Sequence, residues 1–452
     1  MPFAFQLPTT GSTSLTPCFS SSTHPSLPQT ATIKRNTLRS VLKKHKRLTS
    51  QERSSNLTSI QNVIEEYLPY LFAIDAGLSS RPLDGEEIEI SLRKELGVQW
   101  RSTLSQALPS RDPRRVKGRG LDSELDFVLS TLAYAHVNTA RSSLLLLYGT
   151  ITPSVDQRVK IIQNATKSLL SAASLHTYLA TRSLEADASQ SAVETLSQTH
   201  TGLSALALAE ATLLVVLKDD PHPFVVAQMR KKNDKEWMIK APEIPKVRAH
   251  LLARLCLATA DHAATAEAGL SASGKVSQDL VQYVSALRKT ARAKALRLQG
   301  IAAEGEGETG TAIAWLRGAR KVLGYAVSEE GGGSTVSGLR QMKKNWLERR
   351  EDKKVESGGE WGNDAGRLEE LRVVEYLDER WTKMNDTVST AFICLPPTRS
   401  DSFIDQHASG TSFRPLDCQY AFWKRGPYCS AVCEADARRA DPPGDASPTR
   451  AC

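Results

Sequence analysis

The chain has 452 residues, of which 40% are hydrophobic and 24% are charged, and its formal net charge is +8 at pH 7. This length is far above the size at which a chain has difficulty burying a core, and by inspection no window approaches the roughly 20 apolar residues of a membrane-spanning helix. Residues 1–30 contain no Lys, Arg, Asp or Glu and so lack the basic region of a secretory signal, which predicts a cytoplasmic chain without a membrane span.

The N-terminal residues 1–30 are rich in Ser, Thr and Pro, and the alternation in PFAFQLP predicts a short strand or an extended arm. A short basic helix is expected from about Thr32, and a longer amphipathic helix is expected to include residues 57–71. Residues 80–87 contain Pro and Gly and predict a loop. The pattern of residues 88–100 does not decide between helix, strand and an ordered connection.

From Leu121 onward helical patterns dominate. Residues 125–149 are apolar nearly all round, as expected for a helix that is buried on several sides. Further helices are predicted at 155–184, 202–217, 247–270, 276–301 and 367–381. A Gly/Ser linker is expected at 329–337, followed by a highly charged stretch at 338–360. The whole pattern indicates an all-α fold.

Residues 291–324 predict a helical hairpin, because two helices rich in small residues are joined by a short acidic Gly turn. Each arm carries apolar residues at spacings of three and four. These residues are Ala295, Leu298 and Ala302 in the first arm, and Ala312, Trp315, Leu316, Ala319 and Leu323 in the second. Such pairs stack in tetratricopeptide-like folds, but no second copy at a fixed period indicates a true repeat array.

No pattern in the chain points to catalysis, a metal or a cofactor. GEGETG at 305–310 has the spacing of a dinucleotide loop but follows a predicted helix rather than a strand. The nine histidines are scattered and none forms a metal-binding pair on a helix. Cys418, Cys429 and Cys433 have a spacing unusual for zinc, and Cys256 lies in an apolar helix, where an inert thiol is expected. We therefore expect a protein that is not an enzyme.

Basic residues are concentrated at 43–47, 111–119 and 230–232. Their sign favours an acidic partner, and an anionic membrane surface would attract each basic residue by about 1 kcal/mol. A solvated surface explains the same clusters. A helical nucleic-acid-binding protein is a further alternative, but no RNA-binding, zinc-finger or helix-turn-helix pattern accompanies the clusters, so a nucleic-acid partner is not expected.

Four blocks, taken in order, resemble the Bro-type domain, the curved helical domain of ALIX and its relatives. They are VQWRSTL at 98–104, LDFVLSTLAYAH at 125–136, ATKSLLSAASLHTYL at 165–179 and LSALALAEATLLVVLKD at 203–219. The opening MPFAFQLPTT and the segment ERWTKMNDTV at 379–388 are most similar to a short fungal branch of this family that acts in ambient-pH signalling.

The resemblance implies an elongated, curved domain of tetratricopeptide-like hairpins. It divides the chain into an extended arm at 1–30, a Bro-type helical domain at 31–388, and a Cys-rich tail at 389–452 that does not match the family. We expect the tail to be disordered and interpret it as read-through of unspliced or misassigned coding sequence.

The resemblance also implies a non-enzymatic adaptor, recruited to plasma-membrane or endosomal foci, that holds the C-terminal helix of an ESCRT-III core subunit in a concave groove. With a calpain-like protease it would promote proteolytic activation of a zinc-finger transcription factor. General endosomal cargo sorting is the alternative function. The expected groove residues are Leu144, Leu175, Leu179, Leu206 and Leu213, each of which could equally be an ordinary core leucine.

Overall fold

Helices account for most of the residues that the computed structural model describes, which are 2–83, 85–105, 115–148, 153–182, 192–229, 247–274, 276–325 and 362–388. The predicted linker at 329–337, the charged stretch at 338–360, the tail at 389–452 with its cysteine group, and the basic cluster at 230–232 lie outside the described residues.

Ten α-helices lie in the described ranges, and they confirm the all-α prediction. They are α1 (Leu27–Arg47), α2 (Ser50–Leu78), α3 (Gly120–Leu145), α4 (Val155–Arg182), α5 (Ser197–Asp219), α6 (His222–Met229), α7 (Ala249–Ala272), α8 (Gln278–Gly305), α9 (Thr309–Val322) and α10 (Arg367–Val388).

Helices α3, α4, α5, α7, α8 and α9 pack against one another in sequence order. Helices α4 and α5 run antiparallel, since Ser197 at the start of α5 donates to the carbonyl of Ala180 at the end of α4. At the α5–α7 crossing, a Cβ on Gly269 would lie only 2.8 Å from the Gln198 carbonyl oxygen and 3.1 Å from the Gly202 Cα. Two glycines therefore allow these helix backbones to touch.

The hairpin predicted at 291–324 is present as α8 and α9, joined by a turn in which Gly307 has a φ of +86°. The predicted stripe on α9 is buried apart from Trp315, which is half-buried. The prediction for α8 is corrected: its predicted stripe does not pack on α9 alone, because α8 has neighbours on two sides. Ala293, Leu296 and Ala303 join the cluster shared with α9, whereas Ala295 and Leu298 join the cluster shared with α7.

The segment that the sequence left undecided forms strands. β1 (Phe19–Ser21) pairs with β2 (Ile90–Leu92), and β3 (Gly97–Arg101) pairs with β4 (Arg115–Arg119), both antiparallel. Along β3 the buried side chains are Val98 and Trp100, the alternation of a half-buried strand. The Trp100 ring stacks on Phe127 of α3 with centroids 5.4 Å apart, which fixes the hairpin to the helical stack.

The N-terminal arm is extended, as predicted, but α1 begins at Leu27 rather than near Thr32. The arm packs on the helices: the Phe3 amide donates to Glu210 of α5 and the Phe5 amide to Asn138 of α3. The Phe5 ring stacks on Tyr134 with centroids 4.7 Å apart. The arm is thus part of the core rather than an appendage.

Helix α5 corrects one expectation from composition. By length and apolar content, the Ser197–Asp219 helix could cross a membrane, contrary to the expectation from the sequence. In the fold, however, 67% of its apolar window is buried, chiefly between α4 and α7. Such burial is typical of a central core helix.

Candidate partner-binding site

Four of the five leucines expected in a groove lie in the core. Leu144 and Leu179 are fully buried, Leu206 is 1% exposed and Leu175 is 6% exposed. A side chain with so little accessible area offers a partner no apolar surface in this conformation. In the structure these four residues are ordinary core leucines, which was the alternative interpretation.

Leu213 differs from the other four, because it is half-buried. It packs at the junction of two apolar clusters, the main core and the smaller cluster built from α5, α7 and α8. It does not lie with the other predicted residues on a shared open surface. A role for Leu213 in partner binding stays a prediction.

An apolar surface does lie on the outer sides of α4 and α5. Leu170 of α4 is 39% exposed and Val215 of α5 is 41% exposed, and Leu208 is half-buried about two turns before Val215. The Thr177 and Ser204 hydroxyls hydrogen-bond across the two helices at 2.8 Å. Thr177 follows Leu170 by seven residues and Ser204 precedes Leu208 by four, so both exposed stripes border the same helix–helix seam.

We call this surface, made of Leu170, Leu208 and Val215, the α4–α5 seam. Sequence periodicity missed it because Leu170 and Val215 each sit beside a buried residue of the same apolar type, Leu169 and Val216. The one usable signal was a second, weaker stripe at spacings of three and four that includes Thr212 as well as Leu208 and Val215.

The titratable groups behind this surface are buried and structural. Glu210 accepts hydrogen bonds from the Tyr283 hydroxyl at 2.7 Å and the Phe3 amide at 2.9 Å. Burial raises the pKa of Glu210 to about 7, against the effect of these donors. Glu210 therefore ties α5 to α8 and to the N-terminal arm.

Two histidines form a buried pair, with the His176 and His200 Nδ1 atoms 3.4 Å apart. Burial lowers the pKa of His200 to about 3, and burial together with the neighbouring ring lowers the pKa of His176 well below its usual range. Both rings are therefore neutral at physiological pH. Within the described ranges, no group of three or more His, Cys, Asp or Glu side chains is arranged to hold a metal ion.

Two motifs that the sequence analysis did not assign to a function, Cys256 and GEGETG, have structural roles. Burial raises the pKa of the Cys256 thiol to about 12, so this thiol is protonated and unreactive. GEGETG spans the end of α8, the turn and the start of α9, where the glycines serve an interhelical turn.

Comparison with known sequences gives a match over most of the chain. The chain is 41% identical over 471 aligned positions to the pH-response regulator protein palC of Emericella nidulans, and the alignment covers 94% of this chain and 92% of that protein. Coverage of this extent reaches beyond residue 388, so part of the C-terminal segment that was expected to lack a counterpart lies within the aligned region. No protein-family model matches the chain.

Solved structures with partial similarity include a complex of the ALIX BRO1 domain with CHMP4C, with a TM-score of 0.49, 15% identity, and coverage of 87% of this chain and 90% of that one. ALIX bound to a SIVmac239 late domain gives a TM-score of 0.49 at 14% identity, covering 86% of this chain and 45% of that one. A Bro1 domain studied for endosomal targeting gives 0.45 at 17% identity, covering 87% and 89%. At such scores, a shared partner does not follow.

Proposed function

This chain belongs to the family of the pH-response regulator protein palC, and from this premise we propose that it is a non-enzymatic adaptor of ambient-pH signalling. The observation that carries the proposal is the 41% identity across 94% of the chain. Identity over almost the whole length supports a role shared by the whole protein, whereas identity over a short region would indicate only a shared domain.

The partner that we propose is the C-terminal helix of an ESCRT-III core subunit. An amphipathic helix that lays its apolar face on a helical surface needs exposed apolar anchors and no catalytic group. The α4–α5 seam supplies such anchors in Leu170, Leu208 and Val215. The seam replaces the buried leucines as the proposed docking surface.

The wider role includes further steps inferred from the family resemblance. In this proposal the adaptor gathers at plasma-membrane or endosomal foci and helps to recruit a calpain-like protease. That protease would activate a zinc-finger transcription factor at alkaline pH. Contact with an anionic membrane would hold the adaptor near its partners.

The test is calorimetric titration of the full chain with a peptide of the ESCRT-III C-terminal helix, using wild type and Val215→Asp. Val215 is 41% exposed, so the unbound variant should fold. In the complex, however, its carboxylate would lose water without gaining a partner. We expect micromolar binding by wild type and at least about tenfold weaker binding by the variant. Leu206→Asp is unsuitable, because at a buried site it would test folding instead.

Leu92→Asp is the matched control, since Leu92 is 59% exposed on β2, away from α4 and α5. It should bind the peptide like wild type. Equal loss in both variants, or no binding by folded wild type, would refute the proposed docking. General endosomal cargo sorting is the competing role, and a null strain that sorts cargo normally but fails to grow at alkaline pH would exclude it.

A further inference from the structure

Basic residues recur every four positions along α1. Arg35, Arg39, Lys43 and Arg47 therefore form one stripe along the helix. Arg35 is fully buried, Arg39 and Lys43 are half-buried, and Arg47 is exposed. The stripe thus rises from the core to the surface, and its three outer members carry their charges at the edge of the fold.

The β3–β4 hairpin adds a second set of cations. Arg101 lies directly opposite Arg115 in the antiparallel register, and Lys117 lies opposite Gln99. The intervening residues Val98 and Trp100 are buried, so this arginine pair is on the outward face of the hairpin. Side chains at directly opposite positions of a strand pair lie within reach of each other, so Arg115 has a second cationic group beside it.

The two sets meet in space. The pKa of Lys43 is lowered first by its partial burial and then by the charges of Arg39, Arg115 and Arg47. Arg115 therefore lies beside the α1 stripe although it is 72 positions away from Lys43 in the sequence. We call Arg39, Lys43, Arg47 and Arg115 the α1–β4 cationic site.

Two donors at this site lack an acceptor. Arg39 Nε and Arg115 Nη1 are buried from solvent and make no hydrogen bond. Among the residues that the structure describes, no carboxylate forms an ion pair with any of the four cations. Buried donors without acceptors are rare and costly in folded proteins. Both atoms belong to half-buried arginines whose charge no described carboxylate offsets, and an anion with several oxygens would offset it.

The site stands on a rigid base. Arg35, one turn before Arg39, donates to both oxygens of Glu124 and to the Gly11 carbonyl. The Arg115 guanidinium packs over the same Gly11, where an added Cβ would lie 3.2 Å from Arg115 Nη1. Arg35 of α1 and Arg115 of β4 therefore both lie against Gly11, which fixes α1 and β4 relative to each other before any ligand arrives and lowers the entropy lost on binding.

We propose that the α1–β4 cationic site binds the phosphate groups of a phosphorylated inositol headgroup at a membrane surface. A phosphate monoester offers three acceptor oxygens and up to two negative charges, and planar guanidinium groups bind such oxygens in pairs. Four cations at one site match a headgroup that carries several phosphates. The inference deepens the proposed function, because it names a site for the membrane contact included there.

The experiment measures co-sedimentation of the full chain with phosphatidylcholine vesicles that contain phosphatidylinositol bisphosphate. Vesicles brought to the same surface charge with phosphatidylserine serve as the comparison. The test variant is Arg39→Gln, Lys43→Gln and Arg115→Gln together. The matched control removes two arginines and one lysine elsewhere, with Arg254→Gln, Lys289→Gln and Arg380→Gln, all exposed positions on α7, α8 and α10. Thermal melting checks that each variant is folded.

We expect wild type and control to bind the phosphoinositide vesicles similarly, and the test variant to bind on the order of a hundredfold more weakly. Soluble inositol trisphosphate should compete with the vesicles, and competition that depends on the same residues also supports the site. If the chain binds inositol trisphosphate but not the vesicles, the ligand of the site is a soluble phosphate rather than a lipid headgroup. Equal affinity for phosphatidylserine vesicles, equal weakening of both variants, or stronger binding of an oligonucleotide at the same residues would overturn the proposal.

The ESCRT-III peptide is titrated into the same variants. The cationic site and the α4–α5 seam share no residue, so the test variant should bind the peptide like wild type. Loss of vesicle binding with peptide binding intact supports both proposals. A folded wild type that binds vesicles but not peptide would refute the proposed docking alone.

Discussion

Two arginines, Arg35 and Arg297, are both fully buried, and each holds a terminal part of the described chain to the helical core in a different way. Arg35 is bonded to one carboxylate, Glu124, and to the N-terminal arm through the Thr10 hydroxyl and the Gly11 carbonyl. Arg297 is bonded to two carboxylates, Asp220 before α6 and Glu370 on α10.

The surroundings differ as well. Glu124 accepts further hydrogen bonds from the Trp100 indole at 2.7 Å and the Tyr67 hydroxyl at 3.3 Å, so neutral donors share the stabilisation of its charge. Around Arg297 the other donors are Lys294, which reaches Glu370 at 2.6 Å, and His222, which contacts Asp220 at 2.9 Å. Arg297 Nη1 has no acceptor.

The difference indicates how each end depends on its arginine. At the N-terminal end the carboxylate keeps two neutral donors if the arginine is lost. At the C-terminal end Asp220 would keep only the groups of His222. Because a buried charge without a partner is strongly destabilising, the C-terminal network should be the more fragile of the two.

The largest expected effect is that of Arg297→Met, which should lower the free energy of unfolding by about 3–5 kcal/mol. Arg35→Met should cost less, because Trp100 and Tyr67 still donate to Glu124. Urea unfolding followed by circular dichroism measures both changes. Hydrogen exchange should show opening of α10 in the first variant and of the N-terminal arm in the second.

The double variant Arg297→Met with Asp220→Asn tests whether the unpaired buried charge causes the destabilisation. Removing both charges should recover part of the loss, since replacing a whole ion pair is cheaper than breaking it. If Arg35→Met proved the more costly single change, the comparison between the two networks would be wrong.

A second prediction contrasts two buried aspartates by pH. Burial, aided by Asp122, raises the pKa of Asp126 to about 8, and its Oδ1 has no hydrogen-bond partner. Burial would also raise the pKa of Asp220, but Arg297 and His222 outweigh it and hold that pKa well below its usual range. The two carboxyl groups should therefore shift stability in opposite directions.

Because folding raises the pKa of Asp126, the folded chain holds that proton more tightly, and stability falls as the pH rises from about 4 to about 8. Asp126→Asn should remove this pH-dependent loss of stability, which amounts to roughly a few kcal/mol between about pH 4 and about pH 8. Asp220 stabilises the fold at neutral pH and loses this effect below about pH 4. Urea unfolding of Asp126→Asn at pH 5 and at pH 8.5 measures the first effect, and an unchanged pH dependence would contradict it.

The smallest effects concern two glycines in the helical stack. Gly269→Ala should destabilise the fold by about 1 kcal/mol or more, because its Cβ would meet the backbone of α5. Gly318→Ala in α9 should stabilise by about 0.5–1 kcal/mol, since its Cβ would meet only the Leu296 side chain at 4.0 Å. Thermal melting ranks the two, and equal shifts would show that the α5–α7 backbones are less tightly packed than described.

Much of the helical core was predictable. Apolar residues at spacings of three and four located α3, α4, α5, α7 and α8 to within a few residues, because such stripes must face a neighbour. The hairpin of α8 and α9 was predicted together with its turn. Strands β2 and β3 were not. β2 pairs with β1, which lies far away in the sequence, β3 pairs with β4 across a long connection, and local propensity specifies neither pairing.

The sequence by itself determined the helix content, the hairpin and the family, because periodicity and ordered blocks are local properties of the chain. The tertiary structure decided which leucines are accessible. Leu169 and Leu170 are adjacent and chemically identical, yet one is buried and the other is 39% exposed, since burial depends on which neighbouring helices cover each side. It also brought Lys43 and Arg115 together, because electrostatic interaction depends on distance in space rather than along the chain.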